Sequence, residues 1–311
     1  MENVMSAPAS RDVRSTQGKT IAVFTKNTTN PAYAAFRLAA DQVARASGAT
    51  TVHFVPQRPD DVGEQTAFVD RVLVDKPDIV VFIPVDDVAM VGPVARLNAA
   101  GIPIVLAANR LPGRFVTFIG ADDDDIGYRQ ATYLFDHIGR RGRVVVLEGP
   151  PAAPTNRARL AGYRRAFAAT PAIEVLASVV GHFQQTDGKR VVAQLLRDHP
   201  AIDAVLSAND SMALGALEAL EAAGRSATVI GINGILAAVR EVAAGRMLAT
   251  VDFNMFKIGC TATRAAIRCL RGEPVPDNII LPTEVIDRSN CQAWLTPVEQ
   301  RTCPEWADVV K

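Results

Sequence analysis

The segment from Ala204 to Gly224, AVLSANDSMALGALEALEAAG, places strong limits on how this 311-residue chain folds. An apolar strand pattern leads into a polar turn at Asn209, and the turn opens directly into a helix rich in alanine and leucine. Asp210 and Ser211 suit the start of that helix, and Gly224 suits its end. The order predicts a unit that presents Asn209 at the carboxyl end of a strand, where open α/β sheets bind small ligands.

Strand and helix patterns alternate in the same way along almost the whole chain. Such alternation predicts an α/β fold made of doubly wound parallel sheets that are covered by helices on both faces. We expect two lobes joined by a multi-strand hinge, with a cleft lined by strand ends from both sides. The expected boundaries are an N-terminal tail at 1–18, an N-terminal lobe at 19–121 plus 254–282, and a C-terminal lobe and tail at 122–253 plus 283–311.

Composition narrows the class of function. Lysine plus arginine and aspartate plus glutamate number 33 each, so no global field favours nucleic acid or an anionic membrane. No apolar run approaches the length of a membrane span. The first twenty residues lack the apolar core of a signal peptide, which leaves either a cytoplasmic protein or one whose export signal lies outside this chain.

Enzyme and metal signatures are weak. Gly18-Lys19-Thr20 imitates the end of a phosphate-binding loop, but it precedes its strand instead of following it. The aspartate run at 122–125 fits the first turn of a helix better than a calcium loop, because Ile126 occupies an oxygen-ligand position. The four histidines are scattered and form no ligand pair. We therefore expect a protein that is not an enzyme and that uses no metal or other cofactor.

All four cysteines lie in the last sixth of the chain. Cys260 and Cys269 fall in one predicted helix about 13 Å apart, too far for a disulfide with each other. Cys291 and Cys303 flank a proline-containing tail segment and are predicted to close a small loop, the alternative being two free thiols. A disulfide there would indicate an oxidising compartment.

Several polar and aromatic residues fall at strand ends. Each has an ordinary structural explanation, since asparagine caps helices, arginine pairs on surfaces and phenylalanine fills cores. Their joint placement at one edge of two sheets favours a shared site for a hydroxyl-rich ligand, to which amides and guanidinium groups donate while rings stack on C–H faces. The residues are Asn30, Asn109, Arg110, Arg157, Phe183, Asn209, Asn233 and Phe253.

The segments IAVFTKNTTNPAYAAF, IPIVLAANR, ANDSMALGALEAL, VIGING and LATVDF resemble the ribose-binding family of periplasmic proteins, and the likeness covers about residues 19–285. The family's fold is shared with the effector domains of lactose-repressor-type regulators. The resemblance implies a type I periplasmic binding protein, a monomeric receptor that closes on a sugar and delivers it to the membrane subunits of an ABC transporter. By position it implies a ligand set of Lys26, Asn30, Tyr33, Asn109, Arg110, Arg157, Phe183, Asn209, Asn233 and Phe253.

The chain departs from the family pattern at several of these positions. Asn109 and Asn233 stand where ribose binders usually have aspartate, and Ala32 replaces one of two stacking rings. The position of Phe253 is usually a glutamine, and Ile83 stands where the family has an asparagine. The sequence therefore predicts a polyol, a modified sugar or another small polar ligand in place of ribose.

Two other classes remain open at this point. The chain would be the ligand-sensing domain of a lactose-repressor-type regulator if a DNA-binding module were missing, because about 18 residues before the first strand are too few for one. An enzyme on the same scaffold is the other class, since a fold does not fix a function. An apolar export signal in the full reading frame would favour transport, and a basic helical module would favour regulation.

Overall fold

The computed structural model describes residues 15–199 and 201–310. Most of the expected N-terminal tail, residues 1–14, lies outside the described residues. The strands are β1 (Thr20–Phe24), β2 (Thr50–Phe54), β3 (Ile79–Phe82), β4 (Ile104–Ala107), β5 (Thr117–Gly120), β6 (Gly142–Glu148), β7 (Ile173–Val180), β8 (Ala204–Ser207), β9 (Thr228–Ile232), β10 (Ala249–Asp252), β11 (Asn278–Ile280) and β12 (Glu284–Asp287). The α-helices are α1 (Pro31–Ala46), α2 (Val62–Asp75), α3 (Val91–Ala99), α4 (Asp123–His137), α5 (Pro154–Ala168), α6 (Gln185–Asp198), α7 (Asp210–Ala222), α8 (Leu236–Ala243), α9 (Met255–Arg271) and α10 (Trp306–Val309).

In the described part of the chain these strands form two six-stranded sheets. The first has the order β11-β5-β4-β3-β1-β2 and is parallel throughout. The second has the order β12-β10-β9-β8-β6-β7 and is parallel except for β12, which runs antiparallel to β10. The predicted α/β class with two parallel-sheet lobes is confirmed.

The central strands of both sheets are buried on their two faces, whereas the edge strands β2 and β7 carry exposed residues. All residues of β3 and β4 are buried, as the continuous apolar runs IVVF and IVLA require. The helices α1 and α9 pack together beside the first sheet, and α4 and α5 pack together beside the second. The α4–α5 contact needs glycine at 162, where a Cβ atom would lie 2.1 Å from the carbonyl oxygen of Asp124.

The segment NIILPTEVID forms two short strands that belong to different sheets. Pro282 and its neighbours interrupt it, so β11 joins the first sheet and β12 joins the second. Proline has no N–H to donate and marks the end of pairing. With the links from β5 to α4 and from β10 to α9, the described chain crosses between the lobes three times. These crossings form the hinge.

Residues Arg288–Val310, called the strap below, continue from β12 and reach the other lobe. The strap contacts α8 through a 3₁₀ turn at Cys291–Trp294, where the Trp294 indole donates a hydrogen bond of 2.8 Å to Asp252. On the first lobe Cys303 forms a disulfide with Cys260 of α9. The strap is therefore a fourth covalent connection between the lobes in the described chain.

The predicted disulfide between Cys291 and Cys303 is wrong. Cys303 pairs with Cys260, with 5.5 Å between their Cα atoms, and both Cys269 and Cys291 are free thiols. Cys291 is buried in the turn beside α8 on the second lobe, whereas Cys303 has already crossed to the first. The two cysteines are close in sequence but anchored on different lobes.

None of the helices in the described residues combines the length and the hydropathy that a membrane span requires.

Candidate ligand-binding cavity

A cavity of about 650 Å³ lies where the carboxyl ends of the strands of the two sheets meet. Its polar and aromatic lining comes from both lobes: Lys26, Asn27, Asn30, Tyr33, Asp60 and Asn109 from the first, and Asp123, Thr155, Arg159, Phe183, Gln184, Asn209, Asn233 and Phe253 from the second.

Asn30 occupies the cavity wall because it caps α1. Its side-chain oxygen accepts a hydrogen bond of 3.0 Å from the Ala32 amide, and Pro31 fills the first helical position. The cap uses the carbonyl oxygen only. The Asn30 amino group has no partner among the residues that the structure describes, so it is available to a ligand.

Lys26 and Asp60 place opposite charges on the same wall without touching. The Lys26 side chain is buried, and its ammonium makes no hydrogen bond or ion pair with any described residue. Burial lowers the pKa of Lys26, and the charge of Asp60 opposes that effect. Burial likewise raises the pKa of Asp60, whose carboxylate accepts a hydrogen bond of 3.4 Å from Asn27. The two groups can hold a hydroxyl between them, one as donor and the other as acceptor.

Arg159 forms a fixed ion pair on the opposite wall. Its side chain is only 3% exposed; Nε donates to Asp123 at 2.9 Å and Nη1 donates to the Ala208 carbonyl at 2.6 Å. The guanidinium lies 5.3 Å from the centre of the Phe253 ring. Burial raises the pKa of Asp123, and Arg159 acts to lower it.

Besides Asn27 and Asn30, three asparagine side chains line the cavity, and they differ in the hydrogen bonds that they already make. Asn109 donates to the Thr155 hydroxyl on the other lobe. Asn209 caps α7 by accepting from the Met212 amide, and its amino group donates to the Phe183 carbonyl, both at 2.9 Å. Asn233 is buried at φ 135°, and its side-chain oxygen has no partner among the described residues.

The Phe183 ring depends on a glycine for its position. A Cβ atom on Gly149 would lie 2.1 Å from the ring atom Cζ, so any larger residue would displace the ring. Phe183 itself has a positive φ of 60°, which non-glycine residues adopt rarely. Together with Phe253 it gives the cavity apolar faces beside the polar groups.

The structure brings eight of the ten predicted ligand residues to this cavity: Lys26, Asn30, Tyr33, Asn109, Phe183, Asn209, Asn233 and Phe253. It places two elsewhere. The Arg110 guanidinium lies 3.8 Å over the Phe118 ring and donates to Asn278. Arg157 is exposed and donates to both carboxylate oxygens of Asp87 at 2.5–2.6 Å.

Arg159 was missed in favour of Arg157 because of helix geometry. Residues two apart on a helix point about 200° away from each other, so only one of the two arginines reaches the interior. The buried positions of α5 include Asn156, Arg159, Gly162 and Tyr163. The steps of three and four residues among these positions would have identified Arg159. Asp123 follows β5 closely, but the sequence explains the aspartate run at 122–125 as the first turn of a helix and so does not assign Asp123 to the cavity. Asp60 lies in the loop between β2 and α2, several residues after the strand end, and carries no sequence signal for the cavity.

Within the described residues no group of three or more potential ligand side chains is arranged to hold a metal ion. The cavity's chemistry is that of hydrogen bonding, paired charges and ring faces.

Comparisons with known proteins agree with this geometry. Residues 21–274 match the periplasmic binding protein domain. The ribose import binding protein of Bacillus subtilis is 30% identical over 267 residues, which cover 86% of each chain. An ABC transporter periplasmic solute-binding protein from Actinobacillus succinogenes, solved with D-allose, has a TM-score of 0.84 and 27% identity, covering 88% of this chain and 99% of its own.

A second solved structure, an ABC transporter solute-binding protein from Bacillus halodurans with myo-inositol, has a TM-score of 0.84 and 25% identity, covering 90% of this chain and 98% of its own. The resemblance to the ribose-binding type of receptor is thus confirmed by sequence and by fold. This chain belongs to the periplasmic binding protein domain family.

Proposed function

We propose that this chain is the solute-binding component of an ABC transporter and encloses a sugar or polyol between its two lobes. The observation that carries the proposal is the interlobe cavity, in which unpartnered donors and acceptors from both sheets stand beside two aromatic rings. The relatives are named for ribose, and the two solved neighbours hold D-allose and myo-inositol. These are binding proteins, so the chain's task is binding followed by closure and not catalysis.

In this proposal the ligand completes groups that the protein leaves unsatisfied. The Lys26 ammonium donates to one hydroxyl, and Asp60 accepts from that hydroxyl or from its neighbour. On the other lobe Asn233 accepts from a further hydroxyl, while Phe183 stacks against the ring carbons. Arg159 takes the place in the ligand set that the sequence assigned to Arg157. Contacts from both lobes stabilise the closed form, so binding shifts the hinge equilibrium towards closure.

Replacing Lys26 with methionine tests the proposal. The buried ammonium has no hydrogen-bond partner among the described residues, so its removal should change stability little, because the desolvation cost that disappears offsets the lost attraction to the charge of Asp60. Ligand binding should weaken at least about tenfold, the usual value of a hydrogen bond to a charged group. The measurements are calorimetric titration with D-ribose, D-allose and myo-inositol, after a thermal-shift screen of a wider sugar and polyol library.

Lys189→Met is the matched control, because Lys189 pairs with Glu218 on the exposed surface. It should leave binding and stability near those of the wild type. If no sugar or polyol raises the melting temperature of the wild-type protein, the proposed function is wrong. Unchanged affinity in Lys26→Met would remove Lys26 from the ligand set.

The same proposal covers location and partners. We infer a monomeric receptor that works in the periplasm, contacts the transporter's membrane subunits in its closed form and binds no nucleic acid. Light scattering during gel filtration should give one chain per particle with and without ligand. In reconstituted vesicles the ligand-loaded receptor should stimulate ATP hydrolysis by its transporter, and the ligand alone should not.

A further inference from the structure

A second cavity, of about 740 Å³, lies directly beside the ligand cavity. Its walls are the start of α1, the loop from β9 to α8, the start of α9 and the strap. It is called the strap cavity here. Ala32, Asn233 and Met255 line both cavities, so the two spaces are neighbours that share one wall.

The strap cavity is mostly apolar. Ala35, Ile235, Leu236, Phe256 and Val298 supply side chains without polar atoms, in contrast to the charged and amide-rich ligand cavity. Such a wall favours the burial of a hydrocarbon group and offers few partners to hydroxyl groups.

The charged residues of this cavity are largely occupied by the strap and the hinge. The Arg301 guanidinium donates to the backbone carbonyls of Trp294 and Thr296. Asp252 accepts from the Trp294 indole and from the Asn254 amide. These bonds, with the Cys260–Cys303 disulfide beyond them, hold the strap in place as the outer wall.

The shared wall carries a second sign of a ligand. Ala32 contributes only a methyl group there. Asn233 is buried and held at φ 135°, and its side-chain oxygen has no partner among the described residues. Strained backbone of this kind concentrates at functional sites, and a buried acceptor without a donor is costly unless a ligand supplies one.

We propose that the strap cavity is a second subsite, which takes an apolar substituent of the ligand. The preferred ligands are then sugars or polyols that carry an alkyl or aryl group, as glycosides or ethers do. The sugar ring occupies the ligand cavity, a hydroxyl near the substituent donates to Asn233, and the substituent passes Ala32 into the strap cavity. This inference rests on the proposed function and specifies its ligand class.

Calorimetry with paired ligands tests it. The probes are D-ribose and D-allose, the methyl and phenyl glycosides of both in α and β forms, and myo-inositol with its methyl ethers. At least one substituted probe should bind about tenfold or more tightly than its parent, because the substituent loses apolar surface to water. Ala35→Phe, which fills the strap cavity, should remove that advantage while changing affinity for the parent by less than about twofold.

Ala34→Phe is the matched control, since Ala34 is the exposed neighbour on α1 and lines neither cavity. It should keep the preference for the substituted probe. If the parents bind and no derivative binds more tightly, or if Ala35→Phe and Ala34→Phe act alike, the second subsite is refuted and the receptor function stands. If neither parents nor derivatives bind, the second subsite is refuted, and the receptor function fails as well when no member of the wider sugar and polyol library raises the melting temperature.

Discussion

Replacing Arg159 with methionine should destabilise the protein strongly at neutral pH and much less in mild acid. Methionine keeps much of the side-chain volume but removes the donors to Asp123 and to the Ala208 carbonyl. The Asp123 side chain is 16% exposed, so little water can replace the lost guanidinium. An unpaired carboxylate there is the main consequence.

In Arg159→Met, Asp123 can bind a proton and become neutral, which sets an upper limit to the loss of unfolding free energy. Holding a carboxyl group neutral when its unfolded form has a pKa near 3.9 costs about 1.4 kcal/mol per pH unit, hence roughly 4 kcal/mol at pH 7 and roughly 1.5 kcal/mol at pH 5. The lost bond to Ala208 adds about 1–2 kcal/mol that does not depend on pH. In the wild type, burial already raises the pKa of Asp123 although Arg159 opposes it. The wild-type stability therefore already falls somewhat with rising pH, and the difference between the variant and the wild type at pH 7 is at most about 4 kcal/mol.

Urea unfolding at several pH values between 5 and 7 measures this cost. The sign follows from proton linkage: an acid whose pKa is higher in the folded than in the unfolded state binds more protons when folded, so stability falls as pH rises. Arg157→Met is the control on the same helix, because its exposed pair with Asp87 should contribute at most about 1 kcal/mol. Equal losses in the two variants, or a cost for Arg159→Met that is the same at pH 5 and pH 7, would refute the reasoning.

Three further predictions concern other parts of the chain. Burial raises the pKa of Asp210 to about 7, so the wild-type free energy of unfolding should lose about 2 kcal/mol from this group between pH 5 and pH 7, and Asp210→Asn should flatten that slope in urea titrations. Reducing the Cys260–Cys303 disulfide, which closes a loop with a sequence separation of 43, should lower the unfolding free energy by about 2–4 kcal/mol; a non-reducing peptide map that finds a different pair would contradict the assignment. Gly149→Ala should push the Phe183 ring aside, costing about 1–3 kcal/mol of stability and weakening sugar binding, whereas unchanged calorimetry would show that the ring is not held by this contact.

The sequence predicted the placement of most strand-end residues because the direction of a parallel strand decides it. Arg110 is an exception, because its long side chain turns towards Phe118 and Asn278 and away from the cavity. Asn109, Asn209 and Asn233 each follow a strand of one of the two sheets, so they meet at the same edge wherever the helices lie. Helix residues need the rotation of the helix as well. That is why Arg157 was selected where Arg159 reaches the cavity.

The cysteine pairing shows a different limit. Sequence spacing describes how far two residues can separate, but it does not say which surface an irregular segment follows. The strap contains only short turns, and its path depends on contacts made one at a time, such as the Trp294 indole with Asp252 and Gln42 with the Arg301 carbonyl. No periodic pattern records such contacts, so the bridge from Cys303 to Cys260 required the structure.

The polar groups around the ligand cavity fall into two energetic classes. Asn109 and Asn209 already have protein partners, so a ligand that bonds to their donors exchanges one hydrogen bond for another and gains little. The Lys26 ammonium and the Asn233 oxygen have no protein partner among the described residues, and both are already withdrawn from bulk water by burial. The protein has therefore already met the cost of removing these two groups from water when it folds. A ligand that hydrogen-bonds to them adds a bond without replacing an existing one. Affinity and ligand choice should therefore depend more on these unpartnered groups than on the asparagines that resemble the ribose-binding pattern most closely.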